Sequence, residues 1–472
     1  MRRALQLSRR GAYWSRAVGL LAASAVSLPC AYAFREQDEA SLTDLTKLHA
    51  WLGVRGVVLS GVAIAPVTAT REDDSPGLGL YATRPAWSRR WIPFTRRPVL
   101  ATFPLDGTLT GASAAHNAEY GECLAQALSA GTLSEREAVQ LSIAVERQRG
   151  DASPLAPWLR TLSQPPTPLF WSATEMKDLA GTTLAEAVFA QKLSLSRSWV
   201  TRVANVATQC VSAAACPPVT EADMRWATSI FWSRAMTFPS PRTGEFEEGI
   251  LPGLDYANHA ERAAAAWVVR GLEFVLELRR GRLRAGDEVR IDYGRDRSNE
   301  ELLFLYGFAV PNNSADALMV APPLPVGDWD AVSAARVSLL QQSGVAPQTF
   351  FTLRALRRPR AARAAVEHAL LVLRPFVLTP SELAARLEGR EVGDEVRERK
   401  QALLLLLRLL EQRAAAMAVT GSAEEDEAKL TSSEIGPKHR AALLYRASQK
   451  RLCAAYLAIV HALATAEGLR VV

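Results

Sequence analysis

The chain has 472 residues, of which 49% are hydrophobic and 22% charged, a balance that is typical of globular proteins and excludes an intrinsically disordered chain. This length exceeds what one hydrophobic core usually supports, so we expect two or three domains. The net charge is +6, but six arginines precede the first acid, Glu36, and without them 49 basic residues would face 49 acidic ones, which predicts no nucleic-acid-binding surface.

The N-terminus has the pattern of a targeting segment. Residues 1–16 are basic and contain no acid, residues 17–29 form an apolar run too short to span a bilayer, and Ala31-Tyr-Ala33 is typical of a cleavage site. We predict a presequence over 1–34 that directs the protein to a plastid, with a mitochondrion or the secretory pathway as alternatives. No later run approaches eighteen uninterrupted apolar residues, so we expect no membrane insertion of the mature chain.

Periodicity predicts strands and helices in the first part of the mature chain, and helices after it. The predicted elements up to residue 300 are a helix from Ser41 to Gly53, strands within 57–67 and 77–84, helices over 115–235, and strand-like segments at 248–257 and 287–293. Beyond about residue 325 we predict almost only helices. The main elements predicted for this part of the chain are a helix over 395–418, a charged loop at 423–427, and a last helix over 438–464.

Gly77-Leu78-Gly79 could be interpreted as part of a dinucleotide-binding loop. The third glycine is missing and no helix pattern follows directly, which argues against that function. Two interpretations stay open: a pair of turn glycines, or glycines that let the backbone approach a flat ligand closely.

An acid, an amide and an imidazole follow a Pro-Gly turn: Asp255, Asn258 and His259. His259 is a poor metal ligand because no second His or Cys lies at ligand spacing, and the five cysteines fit no zinc or redox motif. We therefore expect free thiols and no metal. About thirty residues later, a turn and an alternating segment end in Tyr293-Gly294.

Two further residues end helical patterns. Arg234 closes the aromatic-rich helix that begins at Trp226, and by pattern alone it would cap carbonyl groups or pair on the surface. Tyr306 closes the apolar stretch that begins at Ser298, and by pattern alone it would belong to a core.

Taken together, these motifs resemble the SET-domain protein methyltransferases. Gly77-Leu-Gly-Leu-Tyr-Ala82, Asn258-His259 and Tyr293-Gly294 are similar to the three ordered motifs of that domain. The phrase Ser298-Asn-Glu-Glu-Leu-Leu-Phe-Leu-Tyr-Gly-Phe308, the segment 157–184 and the last helix extend the resemblance to the Rubisco large-subunit methyltransferase branch, over about residues 40–465.

The resemblance implies an activity, S-adenosylmethionine-dependent lysine methylation of a non-histone protein such as the plastid proteins Rubisco or aldolase. It implies Tyr293 as the catalytic residue. It also implies two sets of binding residues: Gly77, Leu78, Gly79, Arg234, Asn258 and His259 for the cofactor, and Arg234, Asp255, Tyr293 and Tyr306 for the substrate amine.

The resemblance implies an α+β fold, in which a SET domain of small sheets carries a helical insert and precedes an all-α substrate-binding domain. The expected domains are the presequence 1–34, the two SET parts 35–112 and 226–315, the insert 113–225 and the helical domain 316–472. The expected partner is a protein substrate held by that helical domain, and the expected state is a monomer. Two alternatives stay open: a protein-histidine methyltransferase, and a non-catalytic SET scaffold that binds a partner protein.

Overall fold

The computed structural model describes residues 42–67, 77–88, 97–240, 244–324, 330–343, 351–354, 359–432 and 435–469. The predicted presequence and residues 68–76 lie outside these residues. The strands are β1 (Val62–Pro66), β2 (Leu78–Ala82), β3 (Ala86–Trp87), β4 (Val99–Pro104), β5 (Met236–Pro239), β6 (Phe246–Gly249), β7 (Ala265–Arg270), β8 (Glu273–Leu278), β9 (Arg282–Leu283), β10 (Ala317–Val320) and β11 (Phe351–Arg354).

The α-helices are α1 (Leu42–Val54), α2 (Gly111–Ala115), α3 (Gly121–Ser129), α4 (Glu135–Arg149), α5 (Ala156–Leu159), α6 (Ala173–Met176), α7 (Thr183–Ser198), α8 (Ala204–Ala214), α9 (Glu221–Arg234), α10 (Asn299–Tyr306), α11 (Ala331–Gln342), α12 (Pro359–Leu373), α13 (Pro380–Leu387), α14 (Glu395–Met417), α15 (Ala423–Leu430) and α16 (Pro437–Ala466).

The chain divides into two compact units. The N-terminal unit takes its described residues from 31–165 and 195–295, and the C-terminal unit takes its own from 166–194 and 296–472.

Small antiparallel sheets build the N-terminal unit. β1 pairs with β2, β3 with β9 and β5 with β6, while β4, β8 and β7 form a three-stranded sheet in that order. β8 is the central strand and is buried along almost its whole length, as expected for a strand covered on both faces. Phe274 of β8 packs edge-to-face on Phe238 of β5, with ring centroids 5.0 Å apart.

Helix α9 leads directly into strand β5, and local signals define both of its ends. Thr220 and Asp223 form a reciprocal capping box at its N-terminus, which satisfies backbone donors that the helix itself cannot pair. The helix ends at Arg234, and Ala235 is already extended. The aromatic-rich helix predicted from Trp226 is therefore confirmed, and Arg234 is its last residue.

The C-terminal unit is mainly helical. α14 and α16 bury leucine and tyrosine side chains against each other, including Leu403, Leu406, Leu410 and Tyr456, so the long helices predicted over 395–418 and 438–464 are confirmed. β10 and β11 form an antiparallel pair with Leu318 opposite Leu353. This pair is an exception to the prediction of helices alone, because it supplies a buried apolar edge to the same core.

Three local predictions are wrong. The strand predicted over 248–257 ends at Gly249, and Leu254–Tyr256 form a short 3-10 helix, because the Pro252-Gly253 turn interrupts the extended backbone. Residues 287–293 form only isolated bridges. The charged loop at 423–427 belongs to helix α15, which Ser422 caps through a reciprocal bond with Glu425. Strands β7 and β8 were not predicted at all.

Among the described residues, no helix is both long and apolar enough to cross a membrane. The same residues contain no cluster of three or more His, Cys, Asp or Glu side chains suited to a metal ion.

Candidate active site

The Pro252-Gly253 turn positions the acid-amide-imidazole motif. Gly253 has a φ of +101°, a conformation that L-residues rarely adopt. A Cβ at this position would also lie 3.0 Å from Phe103 and 3.1 Å from Leu52. The turn therefore requires glycine, and it directs the chain into the 3-10 helix that carries Asp255.

Asp255 and Arg234 form a buried ion pair. The Asp255 side chain is 0% exposed, and its Oδ2 lies 2.9 Å from Nη1 of Arg234. Trp158 Nε1 donates to the same oxygen at 3.0 Å, and the Gly253 N–H donates to Oδ1 at 2.9 Å. Both carboxylate oxygens are thus held by donors of the protein itself.

Arg234 remains a cation at this site. Burial is the largest single influence and would lower the pKa of its guanidinium, but the charge and hydrogen bond of Asp255 together with Tyr256 and Tyr293 outweigh it, so the pKa lies above its usual value. The guanidinium also lies over the ring of Tyr256, 5.4 Å from its centroid. Its buried Nε has no hydrogen-bond partner among the described residues, which is unusual for a buried donor.

The Asn-His and Tyr-Gly motifs are hydrogen-bonded side by side. The Ile291 N–H donates to the Asn258 carbonyl at 2.8 Å, and the Ala260 N–H donates to the Ile291 carbonyl at 3.0 Å. His259 and Ile291 thereby form an isolated parallel bridge. This pairing joins two segments about thirty residues apart and fixes Asn258, His259 and Tyr293 in one site.

Tyr293 contacts the Asn-His motif through both its backbone and its side chain. Its N–H donates to Nδ1 of His259 at 3.2 Å, so the proton of a neutral His259 ring lies on Nε2. Its hydroxyl donates to the Ala257 carbonyl at 3.0 Å. Because the hydroxyl proton is directed at that carbonyl, the oxygen lone pairs are the part that can accept from an amine.

The side chain of Asn258 faces strand β2. Its Nδ2 donates to Oε1 of Glu288 at 2.8 Å and approaches the Leu78 carbonyl at 3.5 Å. A Cβ on Gly79 would lie 3.0 Å from the same Glu288 oxygen and 3.2 Å from Asn258 Nδ2. Gly79 therefore permits the close backbone approach that the sequence indicated, whereas a Cβ on Gly77 would meet nothing within 4 Å.

Sequence reasoning missed Glu288. The available signal was alternation, since Glu288 and Arg290 stand two residues apart in an extended segment and so share a face. Of the residues predicted for the site, Leu78, Gly79, Arg234, Asp255, Asn258, His259 and Tyr293 lie in the N-terminal unit. Tyr306 belongs to the C-terminal unit, and its pairing with Tyr293 stays a prediction.

The residues present fit a nucleoside-amino acid cofactor. Gly79 keeps the backbone of β2 free of a side chain where Asn258 and Glu288 approach it. Arg234 supplies a buried donor without a partner among the described residues, and Asn258 supplies a side-chain amide. These groups are of the kind that binds a small ligand with both donors and acceptors.

Sequence comparisons relate part of the chain to known methyltransferases. No family model matches. An actin-histidine N-methyltransferase from Canis lupus familiaris is 27% identical over 249 residues, which are 51% of this chain and 40% of that protein. The chloroplastic Rubisco large subunit N-methyltransferase of Nicotiana tabacum is 24% identical over 197 residues, 39% of this chain and 38% of that protein. The chain thus spans less than half the length of these relatives.

Structural comparisons cover nearly the whole chain. A crystal structure of the SET domain of LSMT bound to methyllysine and AdoHcy matches with a TM-score of 0.70 and 20% identity, over 90% of this chain and 93% of that one. Rubisco LSMT bound to AdoMet matches with a TM-score of 0.67 and 20% identity over the same shares. The predicted α+β fold is confirmed, and the chain shares the SET-domain fold of these structures.

Proposed function

We propose that the protein is an S-adenosylmethionine-dependent protein-lysine N-methyltransferase that acts on a non-histone protein. The observation that carries the proposal is the position of Tyr293, whose hydroxyl is held by the Ala257 carbonyl and whose backbone is held by His259. A tyrosine fixed in this way beside an Asn-His pair suits the alignment of an amine.

The chemistry requires positioning more than a strong base. S-adenosylmethionine supplies a methyl group on a sulfonium, and the attacking nitrogen must be neutral. A free lysine has a pKa of about 10.4, and desolvation in an apolar channel lowers that pKa because it disfavours the ammonium. Tyr293 then accepts a hydrogen bond from the amine and orients its lone pair. The part in the channel that the sequence resemblance implies for Tyr306 stays a prediction.

We assign cofactor binding to Leu78, Gly79, Arg234, Asn258 and His259, together with Gly77, which directly precedes strand β2. The contacts of Asp255 support a role different from the one its sequence position implies. Since both of its oxygens accept from donors of the protein, Asp255 fixes Arg234 in the site. A direct contact between Asp255 and the substrate amine stays a prediction.

The substrate is a protein that the C-terminal unit binds, and the enzyme acts as a monomer in a plastid. Support for the plastid comes from the relative in Nicotiana tabacum, whose name places it in the chloroplast. The predicted presequence over residues 1–34 agrees with that location. A plastid protein such as Rubisco or aldolase is accordingly the first substrate to test.

Histidine methylation is the second candidate function. The match to the actin-histidine N-methyltransferase spans 249 residues, compared with 197 for the Rubisco-directed relative. A protonated histidine ring has a pKa of about 6.5 and therefore loses its proton more readily than a lysine ammonium does. The same fixed tyrosine could orient its nitrogen, so the modified residue has to be determined directly.

The test is methyl labelling of a plastid protein fraction with isotopic S-adenosylmethionine and the purified protein, followed by mass spectrometry of the modified peptide. We expect label on lysine. Tyr293→Phe should reduce turnover at least about a hundredfold and leave the affinity for S-adenosylhomocysteine unchanged, as measured by calorimetry.

Other outcomes decide between the alternatives. Label on histidine would replace the main proposal with the second one. Absence of labelling together with absence of cofactor binding would identify a non-catalytic scaffold. Normal turnover of Tyr293→Phe would remove that residue from the catalytic role.

A further inference from the structure

Glu288 lies against the proposed cofactor site without a role in the proposed reaction. Its side chain is only 12% exposed. The backbone around it is fixed by a bridge to Tyr81 and by the Val289 N–H, which donates to the Leu80 carbonyl at 2.7 Å. Because the segment runs beside β2, the Glu288 carboxylate faces Gly79 and Asn258.

A carboxylate decides which way an asparagine amide points. Ionised glutamate only accepts hydrogen bonds, whereas the asparagine amide has one donating and one accepting end. The contact of 2.8 Å between Glu288 Oε1 and Asn258 Nδ2 therefore requires the donating end to face Glu288. The Leu78 carbonyl, also an acceptor, lies on the same side of the amide at 3.5 Å.

The accepting end of Asn258 consequently points away from Glu288. Among the described residues, no hydrogen bond of the protein reaches Asn258 Oδ1. An oxygen presented in this way selects for a ligand group that donates hydrogen bonds. In the proposed cofactor, the α-ammonium group of the amino-acid part is the strongest donor of this kind.

Arg290 holds the other oxygen of Glu288. Its Nε donates to Glu288 Oε2 at 2.6 Å, and its Nη2 lies 2.5 Å from the same oxygen. Each carboxylate oxygen thus has its own donor, and the carboxylate cannot rotate without losing a contact. This arrangement leaves Glu288 no reaction of its own and makes it a support for Asn258.

We propose that Glu288 is a positioning residue that fixes the amide of Asn258 so that Oδ1 is offered to the α-ammonium group of the cofactor. The proposal rests on the proposed function, because it takes S-adenosylmethionine as the ligand. It adds a residue that orients a side chain which the proposed function already places at the cofactor.

The test compares two ligands that differ in the amino-acid part. S-adenosylhomocysteine carries the ammonium group, and 5′-methylthioadenosine shares the adenosine and the thioether but lacks the amino-acid part. In Glu288→Gln, we expect Arg290, rather than Asn258, to donate to the single carbonyl oxygen of the glutamine, because charged donors form the stronger hydrogen bonds. The glutamine NH₂ then faces Asn258 and turns the asparagine oxygen away from the ligand.

We expect calorimetry of the full chain to show about a tenfold weaker affinity of Glu288→Gln for S-adenosylhomocysteine. Its affinity for 5′-methylthioadenosine and its melting temperature should match those of the unchanged protein. The double variant Glu288→Gln with Arg290→Leu frees the glutamine oxygen for Asn258 and should recover part of the lost affinity. Glu273→Gln, at an exposed position of β8, is the matched control.

An unchanged affinity of Glu288→Gln for S-adenosylhomocysteine would overturn the inference. Equal losses for both ligands with a lower melting temperature would overturn it too, because they would show a structural role alone. If the unchanged protein binds neither ligand, the proposed function fails, and the inference fails with it.

Discussion

At the scale of single residues, the ion pair of Asp255 and Arg234 contributes to stability as well as to the proposed site. The Asp255 side chain is 0% exposed and Arg234 is one-fifth exposed, so removal of one charge leaves the other buried without its partner. Breaking such a pair typically costs about 3–5 kcal/mol. The structure therefore assigns to Asp255 a contribution to folding that its position in the motif did not indicate.

We predict that Asp255→Asn lowers the free energy of unfolding by about 3 kcal/mol and weakens cofactor binding because Arg234 loses its position. Chemical denaturation and calorimetry with S-adenosylhomocysteine measure the two effects. If instead stability and cofactor affinity stay unchanged while only the KM for the protein substrate rises, Asp255 faces the amine, as the sequence resemblance implies.

A second buried acid, Glu300 in α10, lies in the C-terminal unit. Thr183 and Tyr445 hydroxyls donate to its Oε2 at 2.8 and 3.0 Å, and its buried Oε1 has no partner among the described residues. Burial raises the pKa of Glu300 from 4.5 to about 7; the two hydroxyls and Arg413 oppose this rise, and Asp316 adds to it. The folded state thus favours the protonated form.

The sign of the pH effect follows from this raised pKa. The stabilising contribution of protonated Glu300 is fully present below pH 4.5 and is lost as the pH rises towards 7. At pH 8 the buried charge costs up to about 3 kcal/mol. We predict that Glu300→Gln, which imitates the protonated form, raises the melting temperature at pH 8 and has little effect at pH 5.

Differential scanning fluorimetry at the two pH values measures this effect, with Glu391→Gln at an exposed position as the control. A stabilisation of Glu300→Gln that is equal at both pH values would contradict titration of Glu300 as its cause.

At the scale of elements, strand β2 contributes to the site because Gly79 has no side chain. A side chain at Gly79 would press against Glu288 and Asn258, whereas one at Gly77 would enter open space. Of the two glycines, Gly79 thus has a steric reason to be glycine, and Gly77 does not. The sequence pattern alone gave no means of telling the two apart.

We predict that Gly79→Ala weakens S-adenosylhomocysteine binding about tenfold, because overpacking of roughly 1–3 kcal/mol displaces Asn258 or Glu288. Gly77→Ala is the matched control and should keep its affinity. Calorimetry on both variants decides the matter, and equal affinities would mean that β2 does not constrain the cofactor site.

Helix α15 shows why charge alone misleads at this scale. Its acidic residues predicted a solvated loop, but Asp426 is buried and pairs with Arg446 and with Lys450, whose Nζ lies 2.7 Å from it. Both cations stand on α16, four residues apart, and so face the same side. The capping box of Ser422 and Glu425 is a local signal for the start of this helix, whereas the two cations that pair with Asp426 lie far along the chain and are not part of any local pattern.

At the scale of the whole molecule, each of the two compact units is built from segments that are not consecutive in the sequence. Residues 166–194 group with the C-terminal helices, although they stand in the middle of the predicted insert. Gly181 illustrates this grouping, since a Cβ there would lie 2.0 Å from the Ala416 carbonyl of α14. The predicted domain boundaries follow the resemblance of sequence segments to a known family, whereas the two units follow packing contacts. The boundaries therefore stay a prediction.

The sequence by itself determined the long helices, the fold class and the residue types of the site. Helical periodicity, capping residues and short motifs such as Asn258-His259 are local patterns, and a single chain displays them directly. The same local motifs carried the resemblance to the SET domain, and the structural comparison confirmed that fold at only 20% identity.

Only the tertiary structure decided how these residues act together. The pairing of Asn258 with Ile291, the ion pair of Asp255 with Arg234 and the contact of Glu288 with Asn258 join residues between 21 and 33 positions apart, and Leu78 lies 180 positions from Asn258. Such contacts depend on which segments the hydrophobic core brings together, and that choice is a property of the whole packed chain.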